Sequence, residues 1–162
     1  MLDLTGGLDA DLVHVDRAIY GPEFSAVTVS TGLDALREGP FDIVHVFSRD
    51  EGKSEVAGMI LEDFVTALSA AKPKLVILAS PNSARALRPI GRLPFNLIAT
   101  SERKGDSFAS FFRKLFRSMF EGTGLAYSWV RLSPQDEGPG RDDEPVLLCV
   151  PGQPGLFFAT AG

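Results

Sequence analysis

Few side chains in this sequence of 162 residues are equipped for chemistry, and they are widely spaced. There are two histidines, His14 and His45, and one cysteine, Cys149. A thiol protease needs a thiolate within hydrogen-bond reach of an imidazole. Cys149 lies in VLLCV, an apparent strand, where a free thiol packs as a small apolar group. A lone cysteine also excludes an intrachain disulfide and a cysteine-rich metal site. Both histidines fall inside apolar runs at strand spacing, which is poor material for zinc. Ser80 ends the apolar run KLVILAS, but Pro81 follows it where a nucleophile elbow needs a turn glycine. His45 sits two residues short of the end of its own strand, which disfavours a Ser80–His45 dyad. Gly6-Gly7 precedes the first predicted strand, and no dinucleotide or Walker fingerprint is present. Nothing in the sequence calls for a cofactor or a metal.

The other chemical resource is charge. The chain carries a formal −5, which argues against whole-surface binding to nucleic acid. Between Arg85 and Arg117, however, eight basic residues stand against Glu102 and Asp106, a local excess of +6. A solvated face is the plain explanation of such a cluster. Several guanidinium groups on converging loops would instead hold a carboxylate or a phosphate.

Which residues converge depends on the elements that carry them. Apolar content of 44% and charged content of 23% fit one globular domain spanning 1–162. No apolar run approaches a bilayer span. The acidic start MLDLTGGLDADL lacks the charge pattern of a signal peptide, so a cytoplasmic setting is expected. LVHVDRAIY (12–20), AVTVS (26–30), FDIVHVF (41–47), KLVILAS (74–80) and FNLIATS (95–101) read as strands. Thr31 is placed to cap a brief helix that Gly39-Pro40 ends. A helix is expected over 54–71 with Ser54 as its cap, and a loop or short helix over 81–89.

GDSFASFFRKLFRSMFEG is the clearest helix, with Asp106 as N-cap and Gly122 as its stop. Phe108, Phe111, Phe112, Leu115, Phe116 and Met119 line one face, a packing stripe. A second helix follows over 123–132, then an acidic flexible loop over 133–145. VLLCV and GLFFA read as late strands. Alternating elements predict an α/β three-layer sandwich with a mainly parallel central sheet and flavodoxin-like layering. In such sheets ligands collect beyond the strands' carboxyl ends. The informative loops are therefore Ser48–Lys53, Ser80–Arg88 and Thr100–Asp106.

FDIVHVFSRD resembles the strand and catalytic loop of CHAT proteases, a branch of the caspase-like cysteine peptidases, with a pattern near D-x-x-H-h-x-x-H-G. KLVILASPNSA resembles that family's second signature, a strand ending in a cysteine nucleophile. FNLIATSERKGDSFASFFRKLFRSMFEGTGLAYSW is similar to the strand, long helix and glycine that follow. The resemblance covers about residues 40 to 132 and implies a caspase-like fold.

Carried over residue by residue, it matches Asp42 and His45 to the first acid and the structural histidine. The catalytic histidine falls on Arg49, and the nucleophile on Pro81, or on Ser80 with a slip of one. Arginine stays protonated and cannot serve as a general base, and proline has no nucleophilic group. The resemblance thus implies a pseudo-peptidase: a scaffold or regulatory subunit in a bacterial signalling or conflict system. Its partner would be another protein, such as an NTPase, a repeat protein or a protease. Arg49, Arg85, Arg88, Arg103 and Lys104 form the expected cleft for an anion or acidic peptide. The competing reading is a divergent hydrolase, using Ser80 or a misaligned dyad. Receiver domains are also similar in class, through Ser80 and Lys104, but Phe47 stands where they carry the phosphorylated aspartate.

Overall fold

The computed structural model describes residues 1–8, 10–49, 55–56, 58–79, 93–100, 107–132, 147–150 and 156–159. Its centre is a five-stranded sheet built from β1 (Leu2–Asp3), β2 (Ile43–Phe47), β5 (Leu75–Ala79), β6 (Asn96–Thr100) and β7 (Leu147–Val150), adjacent in that order. The first four run parallel, and β7 lies antiparallel on β6. A small hairpin of β3 (Glu55–Val56) and β4 (Met59–Ile60) stands apart. The helices are α1 (Ala10–Arg17), α2 (Leu61–Ala70), α3 (Ser107–Phe120) and α4 (Leu125–Leu132), with a 3-10 turn at Leu33–Glu38. The chain is an α/β protein.

The near-continuous apolar runs of β2 and β5 follow from burial on both faces. Val44, Val46, Val76, Leu78, Leu97 and Ala99 pack beneath α2 (Leu61, Phe64, Leu68) and Leu36 of the 3-10 turn. The alternate residues Leu75, Ile77 and Ile98 pack beneath α3 and α4, against Phe112, Leu115, Phe116, Met119 and Leu125. Burying side chains of this size contributes about 1.5–3 kcal/mol each before chain entropy is counted. Phe112, Leu115, Phe116 and Met119 of the stripe are thus core, as their spacing predicts, and Phe111 packs against them. After α3, Gly122 turns at φ 87°, and its N–H bonds the Met119 carbonyl while that of Thr123 bonds Ser118. This is the Schellman pattern of a glycine stop.

Strands at 41–47, 74–80 and 95–101, helices α3 and α4, and the VLLCV strand follow the sequence reading. Other segments differ. Residues 12–20 are predicted as a strand, but 10–17 form α1. Val13, Asp16 and Ile19 are buried at a spacing of three, with His14, Val15 and Arg17 exposed between them. Packing against the sheet has overridden the β-branched content. The 54–71 helix begins only at Leu61, with Ile60 at its N-cap, because 55–60 fold into the hairpin with Gly58 turning at φ 72°. Ser54 and Asp106, the expected caps, lie outside the described residues.

The 3-10 turn is preceded by Gly32 at its N-cap, not Thr31, with no side-chain cap bond. Leu156–Ala159 form no strand. The Leu156 carbonyl accepts from Leu125 N–H and Phe158 N–H donates to Met119, which ties this segment to the α3–α4 corner. AVTVS is not a full strand either, but Ser30 forms a parallel bridge with Leu2 at the outer edge of β1. With that bridge counted, the parallel segments lie in the order Ser30, β1, β2, β5, β6.

Candidate functional site

The strand order reverses at β1, and sheets of this kind take ligands beyond the strands' carboxyl ends at such a point. The register Asp3↔Phe47 and the bond from Leu4 N–H to the Phe47 carbonyl (2.9 Å) hold the two ends level. Asp3 and Thr5 are both buried there. One oxygen of Asp3, Oδ1, accepts from the Thr5 backbone N–H at 3.0 Å and from its hydroxyl at 2.6 Å. The chain then leaves the strand through Gly6 (φ 69°) and Gly7 (φ 83°), left-handed positions that favour glycine. Gly6-Gly7 thus follows a strand and leads into α1, contrary to the sequence reading. A phosphate would be cradled from such a turn, yet Asp3 beneath it and Asp11 in the first turn of α1 oppose an anion there.

On the neighbouring strand, Ser48 ends the buried run of β2, and its N–H bonds the Ala79 carbonyl at 3.1 Å. Arg49 comes next and is exposed. Ser80, Pro81, Arg85, Arg88, Arg103 and Lys104 lie outside the described residues. The strands that lead into them, β5 and β6, run parallel to β2 in register, so all three deliver the chain at one end of the sheet. Cys149 sits in β7 opposite Ile98, in the strand expected for it.

The two histidines part company. His14 is exposed on α1, far from a metal-ligand arrangement. Among the described residues no group of three potential ligands forms a metal site. His45 is 1% exposed and lies within a polar cluster that the sequence reading missed. Its Nδ1 is 3.0 Å from the Tyr20 hydroxyl, and its Nε2 is 3.7 Å from Asp16 Oδ2. Phe47, two residues along the strand, stacks on the ring at 4.5 Å between centroids. Tyr20 is half-buried and turns its hydroxyl inward to His45.

Burial, and then the charge of Asp16, hold the Tyr20 phenol well above its ordinary range. The phenol therefore stays a donor, which assigns Nδ1 as acceptor and puts the ring proton on Nε2, facing Asp16. One ring nitrogen thus faces Asp16 on α1 and the other Tyr20 at its exit. His45 acts as a strut between α1 and β2. The available signal was Asp16 and Tyr20 at i and i+4, hidden by reading 12–20 as a strand.

A groove of about 190 Å³ runs between α3 and residues 18–24, floored by Ile19, Phe24, Phe116 and Phe120. It is smaller than the roughly 300–1,000 Å³ usual for small-molecule sites. No protein-family model matches the chain and no curated protein matches it, so its chemistry must be read from its own residues.

Proposed function

We propose that this chain is a non-catalytic, caspase-like interaction module, similar to a CHAT domain with a degenerate dyad. It would serve in the cytoplasm as a scaffold or regulatory subunit for another protein of a bacterial signalling or conflict system. The observation that carries the reading is Arg49, exposed immediately after the buried end of β2. The family pattern asks for an imidazole at that position. A guanidinium there cannot take a proton from a thiol, but it can hold a carboxylate through paired N–H donors. Two further observations support the reading: helices cover both faces of a mainly parallel sheet, and His45 is engaged by Tyr20. No helix among the described residues is long and apolar enough to cross a membrane. The cleft of Arg49, Arg85, Arg88, Arg103 and Lys104 would take an acidic segment of the partner.

Two measurements test this. Wild-type protein, Ser80→Ala and Cys149→Ala are incubated with unfolded casein and a fluorogenic peptide library. All three are expected to be inert, and turnover abolished by either substitution would overturn the non-catalytic reading. In the second, a fluorescent polyglutamate peptide is titrated by anisotropy. Binding should weaken with salt and with Arg49→Glu or Arg88→Glu. Equal affinity for both variants and wild type would remove the acidic-peptide cleft.

A further inference from the structure

Among the described residues, only the segment ending at Ser30 lies on the outer edge of the sheet beside β1, and no strand pairs beyond it. Residues 26–30 run along β1 through three backbone bonds: Met1 nitrogen to Thr28 carbonyl (2.6 Å), Ser30 N–H to Met1 carbonyl (3.0 Å) and Asp3 N–H to Ser30 carbonyl (2.8 Å). Thr28 and Ser30 thus turn their backbone polar groups inward to β1. In an extended chain the intervening residues turn theirs the opposite way, so those of Val27 and Val29 face outward. Among the described residues neither makes a backbone hydrogen bond. The edge is uncovered: Ser25, Ala26, Thr28 and Val29 are exposed, Val29 by 42%.

Proteins usually protect such an edge with charges, proline or a bulge. Here residues 24–33, FSAVTVSTGL, contain no charge and no proline. A row of unmet N–H and C=O groups is complementary to another extended backbone.

We propose that this edge pairs with the same edge of a second copy, antiparallel about a two-fold axis, joining two sheets into one. The segment is self-complementary in the register its backbone allows. With Thr28 opposite Thr28 of the second copy, Val27 meets Val29 and Val29 meets Val27. Both valines then use their outward N–H and C=O groups in narrow bonded pairs, and Thr28 falls at the non-bonded position between them. Thr–Thr and β-branched cross-strand pairs are favourable. The absence of charge means that the two-fold brings no like charges together. An isologous contact of this kind closes at two subunits. The paired area is small, so the dimer is weak and concentration-dependent.

The test uses the full chain. Light scattering and sedimentation are run up to sub-millimolar concentration on wild type, Thr28→Lys and Val29→Pro, with circular dichroism to check the fold. Wild type should shift toward dimer mass with concentration. Thr28→Lys sets two cations opposite each other and should lose the dimer, and Val29→Pro should lose it by removing an outward N–H. A Thr28→Lys and Thr28→Glu mixture should recover it.

Covalent trapping covers the weak limit. In a Cys149→Ala background, the non-bonded Cα separation of about 4.5 Å lets Thr28→Cys form a disulfide with its copy. Oxidation should yield dimer from Thr28→Cys and none from the exposed control Glu62→Cys. A wild-type dimer that survives Thr28→Lys overturns the proposal. So does a monomer at every concentration whose Thr28→Cys variant cross-links no more than the control.

Discussion

The Tyr20 hydroxyl lies 3.0 Å from His45 Nδ1, joining the segment that leaves α1 to the middle of β2 across 25 positions of sequence. With Asp16 facing the other ring nitrogen, this bond helps fix how α1 sits over the sheet. Removing the hydroxyl leaves a buried acceptor without its donor. Tyr20→Phe should therefore destabilise the protein by about 1–2 kcal/mol. Urea unfolding would read this as a lower midpoint with an unchanged slope. An unchanged midpoint would mean that the bond contributes nothing to stability.

The same tyrosine makes a prediction about pH. Its pKa is raised in the folded protein by burial and by Asp16, relative to the unfolded chain. Above the unfolded phenol value of about 10, the unfolded state loses a proton that the folded state keeps. Stability from this group is fully present below that pH and falls as pH rises beyond it, by about 1.4 kcal/mol per unit. Tyr20→Phe should be less stable than wild type at neutral pH yet lose stability less steeply above pH about 10. Parallel alkaline curves from denaturant titrations would contradict the assignment.

Helices α3 and α4 share a buried polar contact, Ser118 Oγ to Ser128 Oγ at 2.9 Å. Both residues are enclosed, at 2% and 0% exposure. Either single alanine strands the other hydroxyl, at a cost of about 1–3 kcal/mol. The double substitution removes both polar groups, so it should cost less than the sum of the singles. A cycle of urea midpoints on the four proteins measures that difference. Strict additivity would mean that each hydroxyl has another adequate partner.

Much of the sheet was legible because its cause is local in the sequence. Apart from His45, Asn96 and Thr100, residues 43–47, 75–79 and 96–100 are apolar on both sides of the strand, a composition that suits a strand covered on both faces. The α3 stripe was equally plain, since Phe112, Leu115, Phe116 and Met119 repeat at helical spacing and Gly122 can turn the chain at little cost. Arg49 was legible as well: its chemistry excludes a general base whatever surrounds it.

Tertiary structure decided the rest, because the deciding partners are distant in sequence. Residues 10–17 are helical since Val13 and Asp16 must face the sheet together, which the β-branched composition does not reveal. Gly6-Gly7 became a strand-to-helix turn only because two residues, Leu2 and Asp3, pair with Val46 and Phe47. The sequence makes His45 a structural histidine but does not say what holds it. Its enclosure by Tyr20 and Asp16 arises when α1 docks on β2, and it is this docking that makes the histidine a strut.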